Sequence, residues 1–338
     1  MLKTGLVGTG YWGSNLCRVL SQSPRIDLRW ICDGNTEALD RAALLAPAAR
    51  RTERISELLK DPGVAAVVLA TPVDTHFKLA LAALRSGKHV LVEKPLARTS
   101  AEAEQLCQQA DASNVRLMVG HTFLYNGAVR KVKDLIDAGE VGAVRYVFCQ
   151  RLNLGIVRQD VDALWSLAPH DISILDYWIG APVERVAATG HSFLQPGIAD
   201  VAFAHLTYAG NVAGHIQVSW LDPGKVRRAT VVGSKRMLVY DDISADARIA
   251  VYDKGIDIDY LDANLTSFQT YAEHRLRVRA GDTWLPKVDF PEPLAEEVEE
   301  FANCVEDGRP ALTDGRSGLE VVRTLERLSA AMKVESAA

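Results

Sequence analysis

A glycine-rich segment near the start of the chain most constrains how it can fold. Gly8, Gly10 and Gly13 have the spacing G-x-G-x-x-G, directly after a short apolar run that ends at Val7. A helical pattern follows, and a second apolar run then ends in Asp33, about 25 residues after Gly8. Strand, glycine turn, helix and acid in this order are the fingerprint of a dinucleotide-binding βαβ unit. The segment therefore predicts a Rossmann-type parallel sheet at the N-terminus.

Each residue of this fingerprint has its own physical task. Gly8 permits a tight turn, Gly10 lets the backbone approach a pyrophosphate, and Gly13 lets the helix pack close to the strand. The free N–H groups at the start of the helix bind the phosphates. Asp33 would accept hydrogen bonds from ribose hydroxyls and repel a 2′-phosphate. The sequence thus predicts a preference for NAD over NADP.

Composition restricts the class of protein. The chain has 338 residues, of which 48% are hydrophobic and 24% charged, enough for two globular domains. A net charge of −5 argues against nucleic acid as a main partner. No apolar run approaches the ~20 residues that span a membrane, and the immediate entry into a strand leaves no room for a signal peptide. Five scattered cysteines predict a reduced, cytoplasmic protein, and no cluster has the spacing of metal ligands.

The first third of the chain alternates between strand and helix patterns. Continuous apolar runs such as 64–70 and 89–92 are separated by helical patterns such as 76–86. Such runs are typical of strands buried on both faces of a parallel sheet. We therefore predict a doubly wound dinucleotide-binding domain over residues 1–122.

The pattern then changes. From about 184 to 253, strands follow one another with hairpin-length links, which predicts a large, mostly antiparallel open sheet. Residues 255–290 are polar and predicted to be irregular. Two helices and a frayed tail are predicted to follow, at 292–306, 316–333 and 334–338. The prediction is an α/β protein whose second, α+β domain covers residues 123–338 and includes the C-terminal helices.

The predicted open sheet bears on the oligomeric state. Its strands alternate apolar and polar residues, as in 202–208 and 215–220, so one face is apolar. An open apolar face of that size is rarely left in water. We therefore expect a homodimer or homotetramer.

Polar residues follow two neighbouring strands of the predicted parallel sheet. Thr71, Pro72 and His76 come after one strand, and Glu93–Pro95 after the next. Because open parallel sheets bind ligands at the carboxyl ends of their strands, we expect both clusters beside the glycine loop. Taken singly, the first cluster is equally well a strand-ending turn and the second a solvated ion pair. Their position beside a dinucleotide loop favours the functional interpretation.

Lys94 and His170 are the candidate catalytic residues. A lysine beside a hydride acceptor can stabilise the developing alkoxide of a substrate hydroxyl while its carbon gives up hydride. A helix starting near Pro169 would place His170 in its first turn, where Asp171 favours the positive end of the dipole. His170 is then a candidate general base, because imidazole titrates near neutral pH. A structural histidine in a helix cap is an equally weighted alternative.

These motifs resemble the Gfo/Idh/MocA oxidoreductases, a family named for glucose–fructose oxidoreductase and inositol dehydrogenase. The resemblance covers nearly the whole chain. It rests on residues 8–13, 70–76, 93–95 and 169–171. It implies that Lys94 and His170 are a catalytic pair, that NAD is the cofactor, and that Glu93 and Pro95 shape the nicotinamide site. The cofactor-binding residues expected on all these grounds are Gly8, Gly10, Tyr11, Trp12, Gly13, Asp33, Asn35, Thr71, Pro72, His76, Glu93, Lys94 and Pro95.

Further stretches look like one branch of the family, which oxidises the third-carbon hydroxyl of nucleotide-linked amino sugars or their uronates with NAD. These stretches are residues 120–126, 152–155, 164–171, 219–223 and 232–234. The resemblance implies a small-molecule substrate. Its expected contacts are Tyr125, Asn126, Asn153, Arg158, Trp165, Ser166 and His170.

The chain departs from the family pattern at two positions. Ser166 stands where the family usually has an aspartate, four residues before the catalytic histidine. A serine cannot carry the negative charge that would orient the lysine or raise the basicity of His170. Asp162 lies one turn earlier and would substitute if the segment 162–179 is helical. The smaller departure is Gly127, where relatives often have proline.

The sequence therefore predicts an NAD-dependent dehydrogenase or ketoreductase that acts on a sugar, with a nucleotide-linked sugar as the first choice. One alternative is a member of the same family that acts on a free sugar, an inositol or a natural-product intermediate. The other is a non-catalytic NAD-binding regulator. Ser166 favours the regulator, whereas the presence of both Lys94 and His170 argues against it.

Overall fold

The chain folds into two units. The computed structural model describes residues 1–155, 157–256 and 278–336. The first unit combines Met1–Asn126 with Phe290–Arg327, and the second combines Gly127–Asp289 with Leu328–Ala338.

A six-stranded parallel sheet forms the centre of the first unit. Its strands are β1 (Leu2–Val7), β2 (Ile26–Cys32), β3 (Arg50–Thr52), β4 (Ala66–Leu69), β5 (His89–Glu93) and β6 (Leu117–Gly120). They lie in the spatial order β3-β2-β1-β4-β5-β6, with every neighbouring pair parallel. This is the order of a doubly wound dinucleotide-binding sheet, with its switch point between β1 and β4. The predicted Rossmann sheet is confirmed.

Helices connect these strands. They are α1 (Tyr11–Gln22), α2 (Thr36–Leu45), α3 (Ile55–Lys60), α4 (Val73–Arg85) and α5 (Ser100–Ala112), and a short 3₁₀ helix, Thr122–Tyr125, follows β6. Side-chain caps start two of them: Asn35 accepts a hydrogen bond from the N–H of Ala38, and Thr99 from that of Glu102. α1 turns Leu16 and Leu20 into the core of the unit. The caps thus fix where α2 and α5 begin, and the apolar stripe of α1 fixes the face that it buries.

A nine-stranded mixed sheet forms the second unit. Its strands are β7 (Val144–Leu152), β8 (Val183–Ser192), β9 (Val201–Tyr208), β10 (Val212–Ser219), β11 (Val226–Gly233), β12 (Met237–Asp241), β13 (Ile249–Ile256), β14 (Val278–Trp284) and β15 (Lys333–Ser336). Their order is β14-β13-β12-β11-β7-β10-β9-β8-β15. The β7–β10 and β8–β15 pairs are parallel and the others antiparallel. The prediction of a large, mostly antiparallel sheet is confirmed.

Two helices belong to this sheet, α6 (Gly127–Asp137) and α7 (Ala163–Ile179). α7 packs against β7, β9 and β10, where the inward-facing residues Val147, Cys149 and Ile216 are buried. Residues that alternate with these point to the opposite face, where Tyr146 is 46% exposed. The sheet thus has one face covered by α7 and a second face with exposed aromatic surface.

The structure corrects the prediction of irregular chain at two places. The polar pattern at 255–290 predicts no strand, yet β14 lies there and pairs with β13; residues 257–277 of that segment lie outside the described residues. The tail predicted to fray contains β15, which pairs with β8. Both are edge strands of the sheet. An edge strand is held by backbone hydrogen bonds on one side and needs no apolar run, so its residue pattern is a weak signal.

The C-terminal helices are α8 (Pro293–Asp307) and α9 (Gly315–Ala331). Sequence patterning places them with the second domain, but α8 and most of α9 belong to the first unit. Leu294, Val298 and Phe301 of α8 pack in one core with Leu6 and Leu16. Apolar packing, rather than proximity along the chain, therefore sets the division.

All five cysteines are buried and carry free thiols. Within the described part of the chain, no helix combines the length and apolarity needed to cross a bilayer.

Candidate functional site

The glycine loop between β1 and α1 is shaped by two steric contacts and one open space. Gly8 has a φ of +91°, and a Cβ atom there would lie 2.5 Å from the carbonyl oxygen of Ala70. A Cβ on Gly13 would lie 2.0 Å from the carbonyl oxygen of Gly8. Nothing lies within 4 Å of the place that a Cβ on Gly10 would take. The fold itself excludes side chains at positions 8 and 13, whereas the bare backbone at Gly10 leaves room for a phosphate group.

Asp33 lies beside this loop, directly after β2. Its Oδ2 accepts hydrogen bonds from the N–H of Thr9 at 2.6 Å and from the Thr9 hydroxyl at 3.0 Å. Its Oδ1 accepts one from the N–H of Asn35 at 2.9 Å. The carboxylate is thus oriented toward the glycine loop, at the strand end where this fold binds ribose hydroxyls. The loop and the acid together fit a dinucleotide.

His76 connects the two polar clusters that follow β4 and β5. Its Nδ1 lies 2.8 Å from the carbonyl oxygen of Pro95, and its Nε2 lies 2.8 Å from that of Thr71. The ring is buried, which lowers the pKa of His76, while the two backbone carbonyls oppose that shift. The ring thus lies between the two loops, and it donates a hydrogen bond to one of these carbonyl oxygens when neutral and to both when protonated. Pro72 lies between them as the N-cap residue of α4.

Glu93 and Lys94 stand at the carboxyl end of β5. The Glu93 carboxylate accepts hydrogen bonds from the indole N–H of Trp12 and, at 3.3 Å, from the backbone N–H of Lys94. Burial raises the pKa of Glu93 to about 7, while the Trp12 hydrogen bond and the charge of Lys94 lower it. Lys94 is half-buried, and the peptide bond between Lys94 and Pro95 is cis. A cation and a carboxylate near its titration point therefore lie at the same edge as the glycine loop.

Tyr11 and Trp12 form the first turn of α1. Tyr11 is 89% exposed, and Trp12 bridges the glycine loop to Glu93. The first unit therefore brings together the predicted cofactor residues of the loop, Asp33 and the strand ends of β4 and β5.

Tyr125 and Asn126 lie behind this edge rather than on its surface. Tyr125 is 1% exposed, and its hydroxyl lies 3.0 Å from that of Thr313. Asn126 is buried as well. Both side chains are thus buried in the first unit, and Tyr125 has almost no surface to offer a substrate.

The other predicted site residues lie in the second unit, where α7 carries His170. The helix begins at Ala163, and Asp162 caps it by accepting a hydrogen bond from the N–H of Trp165 at 2.9 Å. The prediction of a helical segment at about 162–179 is confirmed. The prediction of a start near Pro169, with His170 in the first turn, is wrong. The aspartate cap starts the helix earlier, and Pro169 is tolerated inside it at the cost of one backbone hydrogen bond.

Ser166 and His170 are four residues apart on α7 and so lie on one face of the helix. Asp162, the possible substitute for the missing aspartate, uses its carboxylate as the helix cap, and burial raises the pKa of Asp162. The face that carries His170 therefore presents a hydroxyl where the family usually presents a carboxylate.

Three predicted substrate contacts lie close in sequence to the start of α7. They are Asn153, Arg158 and Trp165. Asn153 follows β7 and donates its N–H to the carbonyl oxygen of Ser219 at 3.2 Å. Arg158 is exposed and pairs with Asp160 through two hydrogen bonds of 2.9 and 2.6 Å. The indole N–H of Trp165 donates to Ser329 at 2.7 Å.

A buried ion pair that the sequence analysis missed anchors α7. The guanidinium of Arg151 donates two hydrogen bonds of 2.9 Å to the Asp171 carboxylate, and both side chains are 6% exposed. The pair fastens the residue next to His170 onto β7. The available signal was that Arg151 alternates in step with the apolar residues Val147 and Cys149 of the strand, and an arginine on a buried face demands a partner.

Among the residues that the structure describes, no group of three or more His, Cys, Asp or Glu side chains is placed to hold a metal ion.

Comparison with known proteins agrees with this arrangement. The profile of an oxidoreductase family with an NAD-binding Rossmann fold, Gfo/Idh/MocA, matches residues 2–121, and that of the Gfo/Idh/MocA C-terminal domain matches residues 129–239. The chain is 29% identical over 347 residues to a UDP-N-acetylglucosamine 3-dehydrogenase of Acidithiobacillus ferrooxidans, covering 99% of this chain and 97% of that protein.

Two solved structures show the same fold over almost the full length. One is the A. ferrooxidans UDP-N-acetylglucosamine 3-dehydrogenase, with a TM-score of 0.81, 26% identity, and coverage of 98% of this chain and 97% of that one. The other is GenD2 from gentamicin A biosynthesis in complex with NAD, with a TM-score of 0.79, 25% identity, and coverage of 98% and 93%. Fold, glycine loop and profile matches agree, and the chain belongs to the Gfo/Idh/MocA family of oxidoreductases.

Proposed function

We propose that this protein is an NAD-dependent dehydrogenase or ketoreductase that moves a hydride between nicotinamide and a hydroxyl or ketone of a nucleotide-linked sugar. The observation that carries the proposal is the edge of the parallel sheet, where the open backbone at Gly10, the oriented Asp33 and Lys94 occur together. Gly10 fits the pyrophosphate of a nicotinamide dinucleotide and Asp33 fits its ribose. Lys94 fits the reaction of the dinucleotide with an alcohol.

Different residues of the first unit would bind different parts of the cofactor. The glycine loop and the first turn of α1 would bind the pyrophosphate, and Asp33 would bind the adenosine ribose. The segment Glu93–Pro95 would lie beside the nicotinamide. We propose NAD as the cofactor, since a carboxylate at Asp33 disfavours the 2′-phosphate of NADP. When bound, the nicotinamide supplies the hydride acceptor or donor.

Lys94 and His170 would handle the substrate oxygen. The Lys94 ammonium donates a hydrogen bond to that oxygen and stabilises the negative charge that develops as the carbon loses hydride. His170, as neutral imidazole, accepts the hydroxyl proton as a general base. In the reverse direction the same two groups polarise the ketone and return the proton. Ser166 offers a hydrogen bond to a neighbouring group but no charge.

A nucleotide-linked sugar is the favoured substrate because of similarity to an enzyme of that class over the full length of the chain. Asn153, Arg158, Trp165 and Ser166, all near or on α7, are the proposed contacts. A free sugar, an inositol or a natural-product intermediate is the alternative substrate. A non-catalytic NAD-binding regulator is the alternative function, which Ser166 favours.

The test is an assay of purified protein with NAD or NADP and a panel of UDP-sugars, free hexoses and inositols. Nicotinamide absorbance reports turnover, and Lys94→Ala is the matched inactive control. We expect reduction of NAD with at least one UDP-linked sugar and none with the control. Turnover with a free sugar or inositol alone would move the substrate assignment to the alternative. NAD binding without turnover on any compound would favour the regulator.

We also propose that the protein is a cytoplasmic homodimer or homotetramer that associates through the outward face of the nine-stranded sheet. Tyr146 is exposed there, and Phe148 and His215 stack with ring centroids 4.8 Å apart. Exposed aromatic surface on an open sheet face is typical of a subunit interface. The five free thiols fit a reducing compartment.

A further inference from the structure

Glu297 is an acidic residue buried in the apolar core of the first unit. It occupies the apolar stripe of α8, between Leu294 and Phe301, and its side chain is 0% exposed. Neither of its carboxyl oxygens has a hydrogen-bond partner among the described residues. Because a buried, unpartnered carboxylate is very costly, such a group is normally neutral or serves another group nearby.

The group nearby is Glu93. A Cβ on Gly120 would lie 3.0 and 3.2 Å from the two Glu93 carboxyl oxygens, so the Glu93 carboxyl rests on the end of β6. Two residues further on begins the 3₁₀ helix Thr122–Tyr125, against which α8 packs. The Thr122 hydroxyl does not meet ordinary hydrogen-bond geometry with Glu297, but as a nearby donor it lowers the pKa of Glu297, against a larger rise caused by burial and by the negative charge of Glu93. Both carboxyl groups therefore lie beside the same short stretch, residues 120–122.

The other titratable groups around the two acids do not supply a partner for Glu297. Lys94 faces Glu93 and favours the charged form of Glu93. His121 is buried, neither ring nitrogen has a hydrogen-bond partner among the described residues, and burial followed by the charge of Lys94 lowers its pKa to about 3. His121 is therefore neutral at ordinary pH. Tyr125, whose pKa is raised by burial, is neutral too, and its hydroxyl pairs with Thr313. One cation thus stands beside two carboxyl groups.

We propose that Glu93 and Glu297 share one proton, and that Glu297 is a positioning residue that donates a hydrogen bond to the Glu93 carboxylate. Two neighbouring carboxyl groups of which only one ionises can form such a bond, because the protonated group is a donor and the other an acceptor. The bond would hold Glu93 in the orientation in which it accepts from Trp12 and from the backbone of Lys94. Its consequence for catalysis rests on the proposed function, since it would act through Glu93 and Lys94.

The first experiment is infrared spectroscopy of the full-length protein at a pH well above the Glu93 pKa of about 7, where Glu93 itself is ionised. A protonated carboxyl group has a carbonyl band distinct from that of a carboxylate. We expect this band in the unmodified protein, its loss in Glu297→Gln, and its retention in Glu299→Gln, which changes an exposed residue on the same helix. Absence of the band from the unmodified protein, or its persistence in Glu297→Gln, overturns the proposal.

The second experiment follows Trp12 fluorescence against pH, with Trp12→Phe subtracted as background. The indole donates to Glu93, so its emission reports the ionisation of that carboxyl. In Glu297→Leu the Glu93 anion loses a donor, and the midpoint should rise by about one to two pH units, the equivalent of one charged hydrogen bond. In Glu297→Gln the amide still donates, and the midpoint should stay close to that of the unmodified protein.

A midpoint that is equal in the folded Leu and Gln variants overturns the proposal; if the Leu variant does not fold, the infrared result on Glu297→Gln decides. Neither readout requires substrate or cofactor, so a failure of the proposed dehydrogenase activity leaves both unaffected. Where the enzyme is active, the acid limb of kcat/KM in Glu297→Leu should shift to higher pH with the fluorescence midpoint.

Discussion

At the scale of single residues, Lys94 carries the chemical proposal. Lys94→Ala removes the donor that stabilises the developing alkoxide, so kcat should fall by about 10²–10⁴-fold while NAD affinity stays nearly unchanged. His170→Ala should lower kcat by a factor in the same range. The double variant should lose less than the product of the two single losses, because both groups act on one proton transfer. Steady-state kinetics and NAD titration measure these effects, and an unchanged rate in Lys94→Ala would refute the mechanism.

Ser166 is the larger of the two departures of this protein from its family pattern. Ser166→Asp restores a carboxylate four residues before His170 on α7. If the serine is only a weakened form of the usual site, kcat should be kept or raised. If it makes room for a particular substrate group, the carboxylate should raise KM or abolish turnover by clash or by repulsion of an anionic sugar. Ser166→Ala is the matched control, since it removes the hydroxyl without adding charge.

Asp33 decides the choice of cofactor. We expect NAD to bind more tightly than NADP, because the 2′-phosphate would meet a carboxylate fixed by Thr9 and Asn35. Asp33→Ala should narrow the gap between the two affinities. Titration calorimetry measures both constants, and equal affinities in the unmodified protein would contradict the assignment.

At the scale of elements, one buried ion pair joins α7 to β7, in addition to their apolar packing. Asp171→Asn leaves Arg151 buried without its counter-charge, which should lower the free energy of unfolding by about 3–5 kcal/mol. The apolar pair Arg151→Met/Asp171→Leu should recover most of that loss, because it removes both charges together. Arg158→Met is the control, since it breaks an exposed pair and should cost less than about 1 kcal/mol. Urea unfolding measures all three, and equal losses from Asp171→Asn and Arg158→Met would show that the buried pair does not anchor α7.

The sequence predicted an element or residue position where the determining residues are close together in the chain, and failed where they are far apart. Apolar runs such as 64–70 and the glycine loop are local signals, so the residue pattern alone was enough to infer the parallel sheet and the place of Asp33 beside the loop. Arg151 and Glu297 could not be placed, because their partners Asp171 and Glu93 lie far along the chain. Likewise, the apolar stripe of α8 predicts a helix but does not identify the core it joins.

At the scale of the whole molecule, the outward face of the nine-stranded sheet should be buried between subunits. Sedimentation velocity at micromolar concentration should show a dimer or tetramer. Tyr146→Glu places a charge on that face and should shift the distribution toward monomer while leaving the fold intact, because the residue is exposed in a single chain. Glu184→Lys, another exposed position on the same sheet, is a control for a charge change alone. A stable monomer for the unmodified protein would count against the interface.

Both units are assembled from stretches that lie far apart in the chain, and this has a consequence for synthesis. The ribosome releases β1 to β6 long before α8, and β8 long before β15. During that interval the apolar surface that Phe301 and its neighbours later cover has no native partner. A nascent chain in this state depends on provisional collapse or on a chaperone, and a stop codon before residue 327 leaves the first unit incomplete. The first unit therefore cannot close before Arg327 has been synthesised, nor the second before β15.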